Sequence, residues 1–216
     1  MQKTSEWEKS FYALDKRVFS AEAVGAYHFF EQLERFVCKE AFILDFGCGK
    51  GDKVIELREK GYTNVYGCDP SELLSSSKSH QYPFIQVMKE EKIPFPYKWD
   101  LIFCSGVLHH IHFDHLKNVL EIIYQSLKPS GYFLYIEPRN TWLRRLGHIA
   151  VCSRLGRSFS KIRILAQCLD AEWETYSVWL KREKKEFVSI CEQLGFSLVE
   201  KKDRRLTVLG ILVRKS

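Results

Sequence analysis

The chain has 216 residues, 45% hydrophobic and 28% charged, with a formal net charge of +6, the size and composition of one domain able to bury a two- or three-layer core. No run approaches the roughly 18 apolar residues of a membrane span, and the polar start Met1–Ser10 lacks a signal-peptide core, so the expectation is a soluble, unexported, cytoplasmic protein. The seven cysteines are scattered without a CxxC pair, which argues against a disulfide framework or a zinc site and fits a reducing compartment.

Residues from about Ser5 to Val37 carry apolar side chains at helical spacing, broken near Gly25, and predict two helices. Ala41–Phe46 predicts a strand, the glycine-rich turn after it a loop, and Lys53–Lys60 a helix. The alternation repeats with strand Val65–Cys68, helix Ser71–Ser79, strand Phe84–Val87, a Pro94-Phe-Pro96 loop, and strand Asp100–Cys104. Helix Phe113–Leu127, a Lys128–Gly131 turn and strand Tyr132–Ile136 follow. Thr141–Leu180 reads as a largely helical insertion, after which come helix Lys184–Leu194 and strands Phe196–Glu200 and Leu206–Val213, paired as a closing hairpin. Such alternation predicts an α/β fold: a doubly wound, seven-stranded, mostly parallel sheet with an antiparallel last strand, plus a helical cover.

The strongest chemical signal is Ile43-Leu-Asp-Phe-Gly-Cys-Gly-Lys-Gly51, where an acidic residue sits near the end of a buried strand and glycines alternate directly after it. A dinucleotide fingerprint needs its third glycine at position 52, which is Asp52, and no GxxxxGK[ST] loop is present, so nicotinamide and triphosphate readings fall away. Asp45 suits a cationic amino group better than a phosphate. Asp69, just past the second strand, lies on the edge where ligands of such sheets bind and has the chemistry to accept both hydroxyls of a ribose.

With these residues the sequence resembles the class I, Rossmann-like, S-adenosylmethionine-dependent methyltransferases, in particular the broad small-molecule subfamily (methyltransferase type 11-like). The resemblance runs from about Ala41 to Pro138 through the Asp45–Gly51 loop, Asp69, Asp100-Leu-Ile-Phe-Cys-Ser-Gly-Val-Leu-His-His110, and Leu127-Lys-Pro-Ser-Gly131 before Glu137-Pro138. It implies a cofactor site of Asp45, Gly47, Cys48, Gly49, Gly51, Asp69, Pro70, Cys104, Ser105 and Gly106, with S-adenosyl-L-homocysteine as product. Relatives often carry an Asp before the Pro-Phe-Pro loop for the adenine amine; here Met88-Lys-Glu90 stands there, making Glu90 or backbone amides the substitute. His109 and His110 are the candidate bases; the alternative is that one packs on the cofactor side and the other caps a helix.

The resemblance implies a single domain over 1–216: an N-terminal helical cover (1–40), a cofactor-binding core (41–137), a helical insertion (138–182), and a C-terminal helix and hairpin (183–216). The cover aromatics Trp7, Phe11, Tyr12, Trp142, Trp173, Tyr176 and Trp179 either line an acceptor pocket or are core, and Tyr12 and Arg17 are candidates for the cofactor carboxylate. Arg139–Arg163 carries no acidic residue and reads as a solvated face, an anion contact, or a peripheral membrane-surface helix. The expected reaction moves a methyl group to an oxygen or nitrogen of a small-molecule acceptor, lipid-like ones included. Nucleic acid is disfavoured because the base-methylase motifs are missing. The rivals are a non-catalytic cofactor- or partner-binding module and a dehydrogenase. No metal is expected: of the cluster His109, His110, His112 and Asp114, positions 110 and 112 cannot share a helix face while 110 and 114 can, and two ligands make a weak site.

Overall fold

The computed structural model describes residues 33–71, 82–88 and 92–215. Trp7, Phe11, Tyr12, Arg17, most of the helix expected after Asp69, and Glu90 lie outside them.

The strands are β1 (Ile43–Phe46), β2 (Val65–Asp69), β3 (Ile85–Val87), β4 (Trp99–Ser105), β5 (Leu127–Pro138), β6 (Phe196–Asp203) and β7 (Thr207–Arg214). They form one seven-stranded sheet in the order β3-β2-β1-β4-β5-β7-β6. Pairs along β3 to β5 are parallel, and β7 runs antiparallel to both β5 and β6, so the expected sheet is present. Helices α1 (Asp52–Glu59) and α2 (Phe113–Ser126) lie between strands, with a 3₁₀ turn at Leu108–His110.

The central strands are continuous apolar runs because both faces are covered. Their side chains alternate between two cores with the period of the pleat. Ile43, Leu101, Phe103 and Leu134 face one cluster with Val54 and Leu57 of α1. Leu44, Ile102, Cys104, Phe133 and Tyr135 face the other with Leu116, Leu120 and Ile123 of α2.

Two elements differ from expectation. Lys128–Gly131 is part of β5 rather than a turn before it; the β4–β5 register shifts between Trp99 and Leu101, and Ser130 takes φ +61°. A one-sided slip of this kind, a bulge, keeps pairing through a bend that the Pro-Ser-Gly composition marks as a turn. The insertion forms α3 (Trp142–Cys152), α4 (Arg154–Ser158) and the long α5 (Ser160–Arg182), and α5 runs on through a π-helical turn, Glu183–Phe187, into α6 (Val188–Gln193). No glycine or proline interrupts the chain from Leu180 to Leu194, so nothing stops the helix at 184. The π turn accompanies burial of both Trp179 and Phe187, whose rings meet at 5.2 Å.

Among the described residues no helix is long and apolar enough to cross a membrane. Trp179 ties the insertion to the sheet: it is 2% exposed and its Nε1–H donates to Pro138 O at 3.0 Å, at the end of β5. Trp179→Ala is expected to cost about 3–5 kcal/mol in urea unfolding monitored by circular dichroism. A loss well under that range would mean that α5 is not anchored there.

Candidate active site

Strand order reverses between β1 and β4, and at that point two loops leave the carboxyl edge of the sheet side by side. The first follows β1. Gly47 and Cys48 amides both donate to Cys68 O of β2, at 2.8 and 3.1 Å. Gly47, Gly49 and Gly51 take φ of +77°, +53° and +71°, a region that L side chains avoid. Space adds separate reasons at two of them. A Cβ at Gly47 would lie 2.5 Å from Val107, and one at Gly51 would lie 2.2 Å from Ile85, whereas at Gly49 it would meet nothing within 4 Å among the described residues. At Gly49 the backbone is thus left open on that side among the described residues.

Asp69, at the end of β2, holds this loop. Its Oδ2 accepts from the Gly49 amide (2.8 Å) and its Oδ1 from the Ser71 amide (2.9 Å). A carboxylate accepts about four hydrogen bonds, so bracing the loop is compatible with accepting from a ligand's hydroxyls.

The second loop follows β4 and is held by the same device from the other side. Glu137, near the end of β5, accepts from the Val107 and Leu108 amides through Oε1 (2.9 and 2.8 Å) and meets His109 Nδ1 through Oε2 (2.7 Å). The Gly106 amide donates to Ile136 O at 2.9 Å, with Gly106 at φ +69°. Because Val107 fills the space in front of Gly47, the two loops pack against each other.

The insertion closes over His109. Glu172 Oε2 of α5 lies 3.9 Å from His109 Nε2, and the Tyr176 ring meets the imidazole edge-on at 5.4 Å. Arg144 of α3 donates to Tyr176 Oη (2.7 Å) and to Leu206 O (2.6 Å). The His110 ring is 4.0 Å from that of His109.

Burial sets the protonation states. It pushes the Asp45 carboxyl up to about 7, with Lys53 pulling down and Asp69 pushing further up; Asp45 Oδ2 is buried without a hydrogen-bond partner. Burial likewise raises Glu137 to about 7 against the opposing Leu108 and Val107 amides. It holds His109 neutral, down at about 3, assisted by Arg144, and lowers His110 as well, with His109 adding to the effect. Nδ1–H of a neutral His109 donating to Glu137 leaves the Nε2 lone pair facing Glu172.

The structure gathers Asp45, Gly47, Gly49, Gly51, Asp69, Ser105, Gly106, His109 and His110 at this edge. Two of the expected residues, Cys48 and Cys104, turn their thiols into the protein. The Cys104 side chain is fully buried in the α2-side core, and Cys48 packs where a Cβ on Gly67 would stand 2.8 Å from its Sγ. Burial raises both thiols well above their ordinary value, so they contribute backbone and packing rather than reactive sulfur. Pro70 sits between Asp69 and Ser71 and is exposed.

Glu137, Glu172 and Arg144 complete the site without having been assigned roles in it from sequence, and Tyr176, read from sequence as pocket lining or core, packs on His109. Glu137 carried a signal, since it follows a buried apolar strand as Asp69 does. Among the described residues His109, His110 and Glu172 bring three potential metal-ligand atoms within 4.8 Å of one another. The four-residue set weighed from sequence missed this grouping because Glu172 comes from α5.

The chain and its fold have counterparts among known proteins. Residues 26–201 match a protein family described as a methyltransferase domain. A tRNA U34 carboxymethyltransferase of Helicobacter pylori (strain Shi470) is 30% identical over 105 residues, 43% of this chain and 39% of that protein. Nodulation protein S of Azorhizobium caulinodans is 42% identical over 53 residues, 24% of this chain and 26% of that protein. The matched stretches thus span well under half the length of these relatives. The fold is shared with magnesium protoporphyrin IX methyltransferase from Synechocystis PCC 6803, solved with bound S-adenosylhomocysteine (TM-score 0.57, 16% identity, covering 90% of this chain and 84% of that one). It is also shared with an S-adenosylmethionine-dependent methyltransferase from Mesorhizobium loti (TM-score 0.56, 17% identity, covering 85% and 96%).

The raised carboxyls have a measurable consequence. Folded Asp45 keeps its proton up to about pH 7, whereas an unfolded aspartate loses it near 3.8, so the folded state binds more protons between these values and stability falls as pH rises through them. Without ligand, Asp45→Asn is expected to flatten that decline and to raise the melting temperature above pH 7, by about 2–4 °C per kcal/mol recovered. Thermal unfolding across this pH range checks it; parallel curves for the two proteins would contradict the buried-charge assignment.

Proposed function

The chain belongs to the methyltransferase-domain family, the S-adenosylmethionine-dependent class I enzymes, and from that premise we propose that it methylates an oxygen or nitrogen of a small-molecule acceptor, with His109 as the base. The observation that carries this reading is the Glu137–His109 pair at 2.7 Å, set beside a glycine loop open at Gly49.

The chain's residues fit an S-adenosyl group. Asp45 offers a buried, unpartnered carboxylate oxygen to a cationic amino group. Gly49 offers backbone with nothing in front of it among the described residues, and Asp69, already anchoring that loop, would accept ribose hydroxyls. Ser105 and Gly106 backbone would line the β4 side. When bound, S-adenosylmethionine supplies an electrophilic methyl group on a sulfonium.

The remaining work is positioning and moving one proton. Glu137, itself held by the Val107 and Leu108 amides, keeps the His109 proton on Nδ1 and fixes the ring. Nε2 takes the proton leaving the acceptor's O–H or N–H. A weakly basic imidazole suffices, because that proton becomes strongly acidic as the new O–C or N–C bond forms. Glu172, 3.9 Å from Nε2, offsets the positive charge that develops on the ring. Tyr176 and the α5 face around it shield the pair from water.

The tRNA-modifying relatives match less than half of this chain, so tRNA enters as a competing acceptor in the assay rather than as the preferred one. Protein incubated with methyl-tritiated S-adenosylmethionine and separated pools of small metabolites, lipids and tRNA is expected to label a small-molecule or lipid product. His109→Ala is expected to lower turnover by about 10²–10⁴-fold while leaving S-adenosylhomocysteine affinity unchanged. Label confined to tRNA would overturn the acceptor class, and cofactor binding with no transfer to any pool would assign a binding module instead. EDTA is expected to leave turnover intact; a divalent-ion requirement would give His109, His110 and Glu172 to a metal.

A further inference from the structure

Helix α3 is amphipathic but turned inside out. Arg144 and His148 lie on the side facing α5: Arg144 bonds Tyr176 Oη at 2.7 Å, and the His148 ring stacks on Trp173 at 4.1 Å and 20°. Trp142, Leu146 and Ile149, at i, i+4 and i+7, occupy the opposite side, and they are 71%, 54% and 64% exposed. No residue of α3 is buried. The bulky apolar run continues past α3 in Leu155 and Phe159, 74% and 58% exposed. Scattered surface leucines are ordinary, but a run of bulky side chains this exposed marks an interaction surface.

Its rim is cationic. Arg145, Arg154 and Arg163 are exposed, and no acidic residue lies between Arg139 and Arg163. From a distant part of the chain, Arg205 of the β6–β7 turn joins Arg139, Asn140 and Trp142 around a shallow hollow of about 400 Å³. Pro138, which leads into α3, pairs with Thr207 at the start of β7, so the ridge rises from the same carboxyl edge that carries Glu137 and His109.

We propose that α3 and α4, with this arginine rim, dock the protein on the surface of an anionic lipid bilayer. Tryptophan and large aliphatic side chains enter the headgroup boundary while arginines meet lipid phosphates. Two rival occupants fit this face less well. A second copy seated on this face by two-fold symmetry would set the exposed arginines against themselves. The arginines would also meet nucleic-acid phosphates, but the exposed Leu146, Ile149 and Leu155 set among them have no counterpart on a nucleic acid, whereas a bilayer takes up both. Docking is independent of the acceptor, since a chain unable to transfer methyl groups would still bind vesicles.

The test is sedimentation of the full chain with vesicles of phosphatidylcholine alone or mixed with phosphatidylglycerol. Binding is expected only with phosphatidylglycerol present, and is expected to weaken as salt rises. Trp142→Ser combined with Ile149→Ser should weaken it more than about tenfold, and Arg205→Ala or Arg145→Ala about fivefold each. Unchanged melting temperatures confirm that these surface variants fold. Failure to sediment with anionic vesicles, or equal sedimentation of the Trp142/Ile149 variant, would overturn the proposal. So would a dimer that this variant dissolves, or tRNA displacing the protein from vesicles with no dependence on Trp142 and Ile149.

Discussion

Two buried carboxylates, each reaching sideways from the end of one strand to the loop of its neighbour, hold the site together. Asp69 closes β2 and grips the loop after β1; Glu137 lies near the end of β5 and grips the loop after β4. Charge-assisted bonds of this kind contribute about 1.5–3 kcal/mol each, enough to fix loops that are otherwise rich in positive-φ glycine. The loops then hold each other through Val107 and Gly47. Everything chemical is hung on this frame: the open backbone at Gly49, the unpartnered Asp45 oxygen, and the oriented imidazole of His109. The cost is burial of negative charge, visible in the raised carboxyls of Asp45 and Glu137, and a bound cation near Asp45 would relieve part of it.

Much of the frame was legible in the sequence because the sheet is buried on both faces. Continuous apolar strands such as Leu101–Cys104 and Tyr132–Ile136, separated by helical periodicity, leave little choice but a parallel sheet with helices on both sides. The β1 loop was legible too, since three alternating glycines after an acidic strand end suit a backbone that a ligand must approach closely. The Glu137 brace was not. It depends on β5 lying beside β4, a long-range pairing that no local pattern encodes, and His109 reads as an isolated histidine until that pairing is known.

The insertion shows the same limit in another form. Its periodicity announces amphipathic helices but cannot say which side faces the protein. In α5 the buried aromatic side includes Tyr176 and Trp179; in α3 the polar side faces inward, because Arg144 and His148 find partners on α5 and Leu206. One insertion thereby closes the site from above and presents an apolar, cationic ridge beside it. A methyl-transfer centre on the edge that also carries such a ridge is well placed for acceptors that partition to a surface.

Calorimetric titration with S-adenosylhomocysteine and S-adenosylmethionine tests most directly whether the Asp69-braced loop binds an S-adenosyl group. The account predicts saturable, one-to-one binding of both that weakens about tenfold or more in Asp69→Ala, the loss of a hydrogen-bonded charge. Absence of binding to the unaltered protein, or equal binding by the variant, would contradict it.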